Sequence, residues 1–284
     1  MAITYYMLQI PAWLFFTCIV FFGAASAGLV TNIFRKTIRV KILRSHNEVT
    51  GFLFLAIASF YALLLAFVVL IVWEKLNETH GDVSKEGSSA LALYRDVKFY
   101  PDSLASKELK AVYLDYVFNV LDDEFPKMKL MESSQITAES FDKLFYTMER
   151  LNPTNPMQIQ LVSGMFHHLN ELATYRSLRI SSMETEIPAP MWLPIIFGAI
   201  ITLFCAMFLD IEHIRMHVLL NSLLGGFIGA FIFTIILLDH PYTGSLGIEP
   251  HAYEQIFTLE EWDQENKIKD QTNTQMINFQ NQNP

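Results

Sequence analysis

Carboxylates in this chain gather where apolar runs end: Glu48, Glu74, Asp210, Glu212 and Asp239. Singly, each is an ordinary solvated helix end or half of a structural pair, such as Glu74 with Arg176. Repeated around an oligomer, each becomes an acidic ring, and acidic rings favour cations. Between Glu48 and Glu74 the stretch Gly51 to Trp73 carries no charge. Its residues are sorted by size. At about 100° per residue, Gly51, Leu55, Ala58, Ser59, Ala62, Ala66 and Val69 share one side of a helix with Trp73. Leu53, Ile57, Phe60, Leu64, Phe67 and Ile71 share the other. A helix that meets only lipid has no need of that division. The small face either packs against another backbone or borders a pore. If it packs, the bulky face with Phe60, Leu64 and Phe67 is left to form a hydrophobic gate.

Other reactive types point to less. His167 and His168 with Glu171 are metal ligands by type, yet adjacent side chains diverge by about 100° on a helix. No cysteine or second carboxylate stands at ligand spacing, so they read as helix surface and no metal site is expected. His46, His213 and His217 fall at the same side of the membrane and could make gating pH-dependent near neutrality. The sequence holds no phosphate loop, no serine nucleophile motif and no paired carboxylates, so no catalytic residue is expected. The spans carry only mild polar groups (Thr17, Ser59, Tyr61, Thr202, Asn221, Ser222, Thr234), which argues against a proton-coupled pump. No cofactor is expected beyond a permeant ion, K+ or Cl−.

The elements that must position these residues follow from hydropathy. The 284 residues are 52% hydrophobic and 17% charged, so part of the chain spans a membrane and part is wet. Cys18 and Cys205 both lie in apolar runs and imply neither a disulfide nor a metal site. A net charge of −9 excludes nucleic acid as a partner. Spans are expected at about 11–34, 51–73, 191–209 and 216–238, in two pairs covering 1–73 and 191–238. The second is about 34 Å long as a helix, enough to cross a bilayer. Ala25-Ser26-Ala27 resembles a signal-cleavage site, but no Lys or Arg precedes the run and the positive charges follow it, so 11–34 reads as a retained membrane helix. In the last span Gly225 and Gly229 have the small-xxx-small spacing of close helix packing, and the small face of the second span is their expected partner.

Residues 74–190 read as a helical extramembrane domain. Glu74 to Phe99 continues the second span as one rod, weakened by Gly81 and Gly87 and ended at Tyr100-Pro101. A helix capped by Asp102 or Ser103 runs to about Phe125, before Pro126. Another covers about Ser134 to Leu151, and a third, restarted at Asn155-Pro156, runs to about Met183. Residues 239–284 form an acidic tail with one short helix boxed by Thr258 and Glu261, and its last dozen residues read as disordered. The loop 35–50 carries Arg35, Lys36, Arg39, Lys41 and Arg44 against Glu48 alone. Short basic loops stay inside, so the helical domain and both termini are expected outside.

Two spans, a helical domain, two spans and a trailing segment: this order resembles the bestrophins, and more closely the bestrophin-like domain family of bacterial membrane proteins. The residues that carry the resemblance are His46-Asn47-Glu48 with Gly51, Tyr61 to Phe67, Trp73-Glu74, Tyr94-Arg95, Arg176 and Arg179. Pro190 and Trp192, and Asp239, Pro241 and Gly244, complete it. The resemblance implies a bacterial inner-membrane protein, a homo-oligomer (a pentamer) around a central axis, with second-span helices lining a pore as in bestrophin chloride channels. The acidic calcium clasp of animal bestrophins has no match here. The expectation is therefore an all-α membrane protein with four transmembrane helices, assembled as an ion channel in lipid. Acidic mouths favour cations; the alternatives are a bestrophin-type chloride channel and a non-conducting membrane sensor or scaffold.

Overall fold

Long apolar runs leave the backbone no hydrogen-bond partner but itself, and helices result. The computed structural model describes residues 10–37, 44–101, 103–183, 187–243 and 247–265. Asp102, Gly244 and the acidic tail beyond 265 lie outside them, as does the middle of the basic loop, and of His46 only the backbone is described. No described residue is in a strand. The protein is all-α. Its helices are α1 (Ala12–Thr37), α2 (Arg44–Phe99), α3 (Ser103–Asn119), α4 (Gln135–Glu149), α5 (Pro156–Ser182), α6 (Ala189–Met207) and α7 (Ile214–Leu238). An eighth, α8, covers 251–265. Among the described residues α1, α2, α6 and α7 are long and apolar enough to cross a membrane.

The chain forms two compact units, one of residues 1–79 with 183–248 and the other of 80–182 with 249–284. In the first, the glycine face of α7 lies against α1, not against the small face of α2 as expected. A Cβ built on Gly225 would stand 2.5 Å from both the Gly23 carbonyl oxygen and Ala27 Cβ, and one on Gly229 would stand 3.0 Å from the Ile19 carbonyl oxygen. Side chains cannot enter so narrow a gap, which is why the glycine face takes the partner that also has Gly23, Ala24 and Ala27 to offer. Asn221 Nδ2 donates to Thr31 Oγ1 at 3.0 Å, and Thr31 donates on to the Ala27 carbonyl at 2.7 Å, which satisfies both polar groups in the buried interface. Phe233 closes one end edge-on to Phe15 and Phe16, with centroids 5.5 and 5.2 Å away.

In the second unit, α2 passes both glycines unbroken. Gly81 faces open space, and at Gly87 the missing Cβ leaves room for Ala252 of α8. The helical run that α3 begins passes its expected end near Phe125, though not as one unbroken α-helix. Pro126 has no N–H and would crowd the carbonyl four residues back; the chain answers with a π turn, Val120–Glu124, in which Phe125 N–H bonds Val120 O, and helix resumes over Phe125–Met128. Ser134 caps α4, accepting from Thr137 N–H at 3.0 Å, and Asn155 caps α5, accepting from Gln158 N–H at 2.9 Å. Thr258 caps nothing. It lies midway along α8 and bonds the Glu254 carbonyl at 3.2 Å, because that helix begins seven residues earlier, at 251.

The Gly225 geometry makes a direct test. Gly225→Ala must push the Gly23 carbonyl aside and is expected to destabilise detergent-solubilised protein by about 1–3 kcal/mol. Gly226→Ala, whose Cβ would lie at an ordinary 3.4 Å from Ala24 Cβ, is expected to leave the melting temperature unchanged or raise it through helix propensity.

Candidate functional site

The membrane segment of α2 has one buried seam and two uncovered flanks. Tyr61, Leu65, Val68 and Val72 recur at helical spacing and are buried. Tyr61, Leu65 and Val68 pack into one cluster with Ile195 and Ala199 of α6 and Ile228 and Ile235 of α7. Gly198 of α6 has no Cβ because the Tyr61 ring occupies its place. The small face is turned about 100° away from this seam. Leu55, Ser59, Ala62 and Ala66 are exposed, and Gly51, Ala58 and Val69 are half-buried at its border with the seam. The bulky flank, with Leu53, Phe60, Phe67 and Ile71, is exposed on the other side, while Ile57 and Leu64 turn partly into the core. Ser59 satisfies its hydroxyl locally, on the Leu55 carbonyl at 2.7 Å. Among the described residues, then, the stripe of Leu55, Ser59, Ala62 and Ala66 is left uncovered within one subunit, while Val69 at its border packs on the seam; the expected partner of the small face, Gly225 and Gly229, is taken by α1.

The mouth carboxylates divide. Glu48 and Glu74 are exposed at the two ends of the charge-free stretch, and at about 100° per residue Glu48 falls in line with Ser59 and Ala66. Glu212 is exposed too. Asp210 is held in a clasp. Asn47 Oδ1 accepts from Asp210 N–H at 2.7 Å, Asn47 Nδ2 donates to the Asp210 carbonyl at 3.0 Å, and Arg35 lies 3.8 Å from its carboxylate while also bonding the Ile211 carbonyl. Asp239, expected as a solvated mouth charge, is instead buried, and its carboxylate accepts the Ile187 N–H at 2.9 Å, fastening the segment before α6 to the end of α7. His217 is a second correction. It is not on an open inner face but 0% exposed, with Nε2 at 3.0 Å from the Ala206 carbonyl.

The second unit holds a charge cluster that no spacing rule indicated. Arg179 is wholly buried between Glu86 and Glu124, which are 0% and 1% exposed. Its Nε lies 2.6 Å from Glu86 Oε2, a further guanidinium nitrogen bonds Glu124, and the group stacks on Phe125 at 4.7 Å. Arg176, half-buried, also bonds Glu124. Tyr253 of α8 donates to Glu86 Oε1 at 2.6 Å. Burial opposes charge on Arg179, but the two carboxylates outweigh it and hold its pKa well above the usual arginine range. Two arginines facing two glutamates balance, which is what makes such burial tolerable. In the sequence Arg176 and Arg179 stand out as carriers of the family resemblance, and no spacing marks Glu86 or Glu124 as their partners. His168 Nδ1 lies 2.8 Å from Asp96 Oδ2, while His167 turns toward Glu171 at 3.6 Å. No three metal-ligating side chains converge among the described residues.

Helix α8 is docked by acids. Tyr94 donates to Glu260 at 2.7 Å; Lys110 pairs with Glu260 and Lys98 with Asp263. Burial raises the Glu260 pKa, yet hydrogen bonds from Lys110, Tyr94 and Gln264 outweigh that and hold it below the usual glutamate value. The hydrogen bond from Lys98 does the same for Asp263.

A family model described as a bestrophin-like domain matches residues 10–253. Among solved structures, a bacterial bestrophin homologue from Klebsiella pneumoniae, solved as a point variant, superposes with a TM-score of 0.63 at 11% identity, covering 85% of this chain and 97% of that one. The same homologue solved by zinc phasing gives 0.60 at 12% identity, with 86% and 95% covered. A crystal structure described only as that of a membrane protein, also a point variant, gives 0.62 at 11%, with 85% and 95% covered. No curated protein sequence matches significantly.

The α8 dock predicts a pH dependence of definite sign. Both carboxyl pKa values are depressed in the folded protein, so their contribution is complete above the ordinary carboxylate range and is lost as pH falls through the lowered values, below about pH 4. Hydrogen-exchange protection of 251–265 is expected to fall there before that of α3, and Glu260→Gln with Asp263→Asn is expected to remove the pH dependence while weakening the dock at pH 7.

Proposed function

The chain belongs to the bestrophin-like family, and on that premise we propose that it is a homo-oligomeric ion channel whose central pore is lined by the small face of α2. The observation that carries the proposal is the uncovered stripe of Leu55, Ser59, Ala62 and Ala66 on a helix whose adjoining seam is already packed. In a ring of subunits that stripe can face the axis while the bulky flank meets lipid or the neighbouring subunit. A pentamer is the proposed assembly, on the family resemblance. Small side chains leave room for a hydrated ion, and the Ser59 hydroxyl adds one polar contact per subunit.

Exposed Glu48 and Glu74 at the two ends of the stretch support cation selectivity, K+ being the proposed ion, since each repeats as a ring. A chloride channel is the second reading, supported by the lack of any carboxylate between Leu55 and Val69. The basic loop after α1 and Arg215 support an orientation with the helical domain and termini outside a bacterial inner membrane.

Purified protein in liposomes tests this. The proposal expects ion flux and, in asymmetric KCl, a reversal potential on the K+ side, moved toward zero by Glu74→Gln. A reversal potential on the chloride side establishes the second reading. Absence of flux across pH 5.5 to 8 leaves a non-conducting sensor or scaffold and contradicts the channel.

A further inference from the structure

Between α1 and α7 runs a furrow of about 530 Å³ that the channel reading does not use. Its apolar part is formed by Ala25 and Leu29 of α1 with Val218 of α7, and Asn32 and Arg215 line its other end. The furrow is shallow-floored by design of the helix pair: Gly28 lacks the Cβ that would meet the Ser222 hydroxyl. One turn beyond Asn32 on the same face of α1 stands Lys36, exposed in the helix's last turn. Arg215 is exposed in the first turn of α7. The neighbouring Arg35 is committed to Ile211 and Asp210. Among the described residues neither Lys36 nor Arg215 has a carboxylate partner.

We propose that this furrow binds one anionic phospholipid per subunit, acyl chain along Ala25, Leu29 and Val218, phosphate at Arg215 and Lys36. Both lining helices are membrane spans, so what reaches the furrow from outside is acyl chain or another helix. The gradient decides between them. An apolar trough ending at Arg215, with exposed Lys36 one turn beyond Asn32 and neither cation paired to a carboxylate among the described residues, matches an amphiphile with a negative head, and basic pockets between membrane helices take such headgroups. A helix of a second subunit would fill the apolar part and leave Lys36 and Arg215 to be paired by other means. The inference rests on the spans crossing a bilayer and not on conduction.

Native mass spectrometry of the purified full-length protein, titrated with equimolar phosphatidylglycerol and phosphatidylcholine, reads the site without any ion flux. Wild type is expected to retain phosphatidylglycerol preferentially, and R215Q/K36Q to lose that preference by roughly tenfold. Ala25→Phe, which fills the trough and keeps both cations, is expected to reduce retention of both lipids at unchanged oligomer mass. An undiminished preference in R215Q/K36Q overturns the proposal. So does an Ala25→Phe protein that retains lipid as wild type does, whether its oligomer holds or falls apart; loss of the oligomer would assign the furrow to a subunit contact. Ala25→Phe decides alone should the double variant fail to fold.

Discussion

The backbone contact of α1 with α7 is the constraint on which the membrane unit depends. Without side chains between Gly23 and Gly225, the two helices approach until the Gly23 carbonyl oxygen stands 2.5 Å from where a Gly225 Cβ would be, too close for one to fit. That approach uses up the glycine face of α7. Helix α2 is left to attach through larger residues, Tyr61, Leu65 and Val68, set against α6 and the other side of α7. A seam of bulky side chains holds a helix farther off and along one stripe only, so the flanks of α2 stay free. The division of small from large residues around α2 is therefore not consumed inside the subunit. The lipid furrow comes from the same contact, since the pair that closes at Gly23 and Gly225 leaves a trough beside Gly28.

A different kind of constraint governs the second unit. Arg179, Glu86 and Glu124 are buried together with half-buried Arg176 beside them, and removing Arg179, Glu86 or Glu124 leaves an uncompensated charge, a loss of about 3–5 kcal/mol in comparable sites. The π turn at Val120–Glu124 has its place here, because it ends on Glu124 and so helps set where that carboxylate points. Tyr253 ties α8 to the same cluster. The unit is thus specified by charge pairing in its centre as well as by its apolar core of Leu93, Tyr113, Val117, Leu144, Met165 and Leu169.

Much of the architecture was legible because it is local. Charge-free length marks a span, and Ser134, Asn155 and Pro156 mark helix starts whatever they pack against. What was not legible depends on which partner wins. Gly225 and Gly229 announce close packing but not whether α1 or α2 supplies the backbone, and α1 wins by having its own small residues at Gly23, Ala24 and Ala27. Asp239 looks like any carboxylate at a span end until the fold brings Ile187 N–H to it. Thr258 and Glu261 have capping-box spacing inside a helix that starts at 251. Gly81 and Gly87 read alike, yet one faces open space and the other makes room for Ala252. The small face of α2 was visible as a pattern, and its freedom from intrasubunit packing needed the fold.

The central claim is that this free small face borders the ion path. The most direct measurement is block of liposome flux by a charged, water-soluble thiol reagent on single cysteines along α2, with Cys18 and Cys205 replaced. Block at Ala62→Cys and Ala66→Cys, with Phe60→Cys and Phe67→Cys insensitive, is the result predicted. Block at Phe60→Cys and Phe67→Cys with the alanine positions silent would contradict it, placing the bulky flank at the axis.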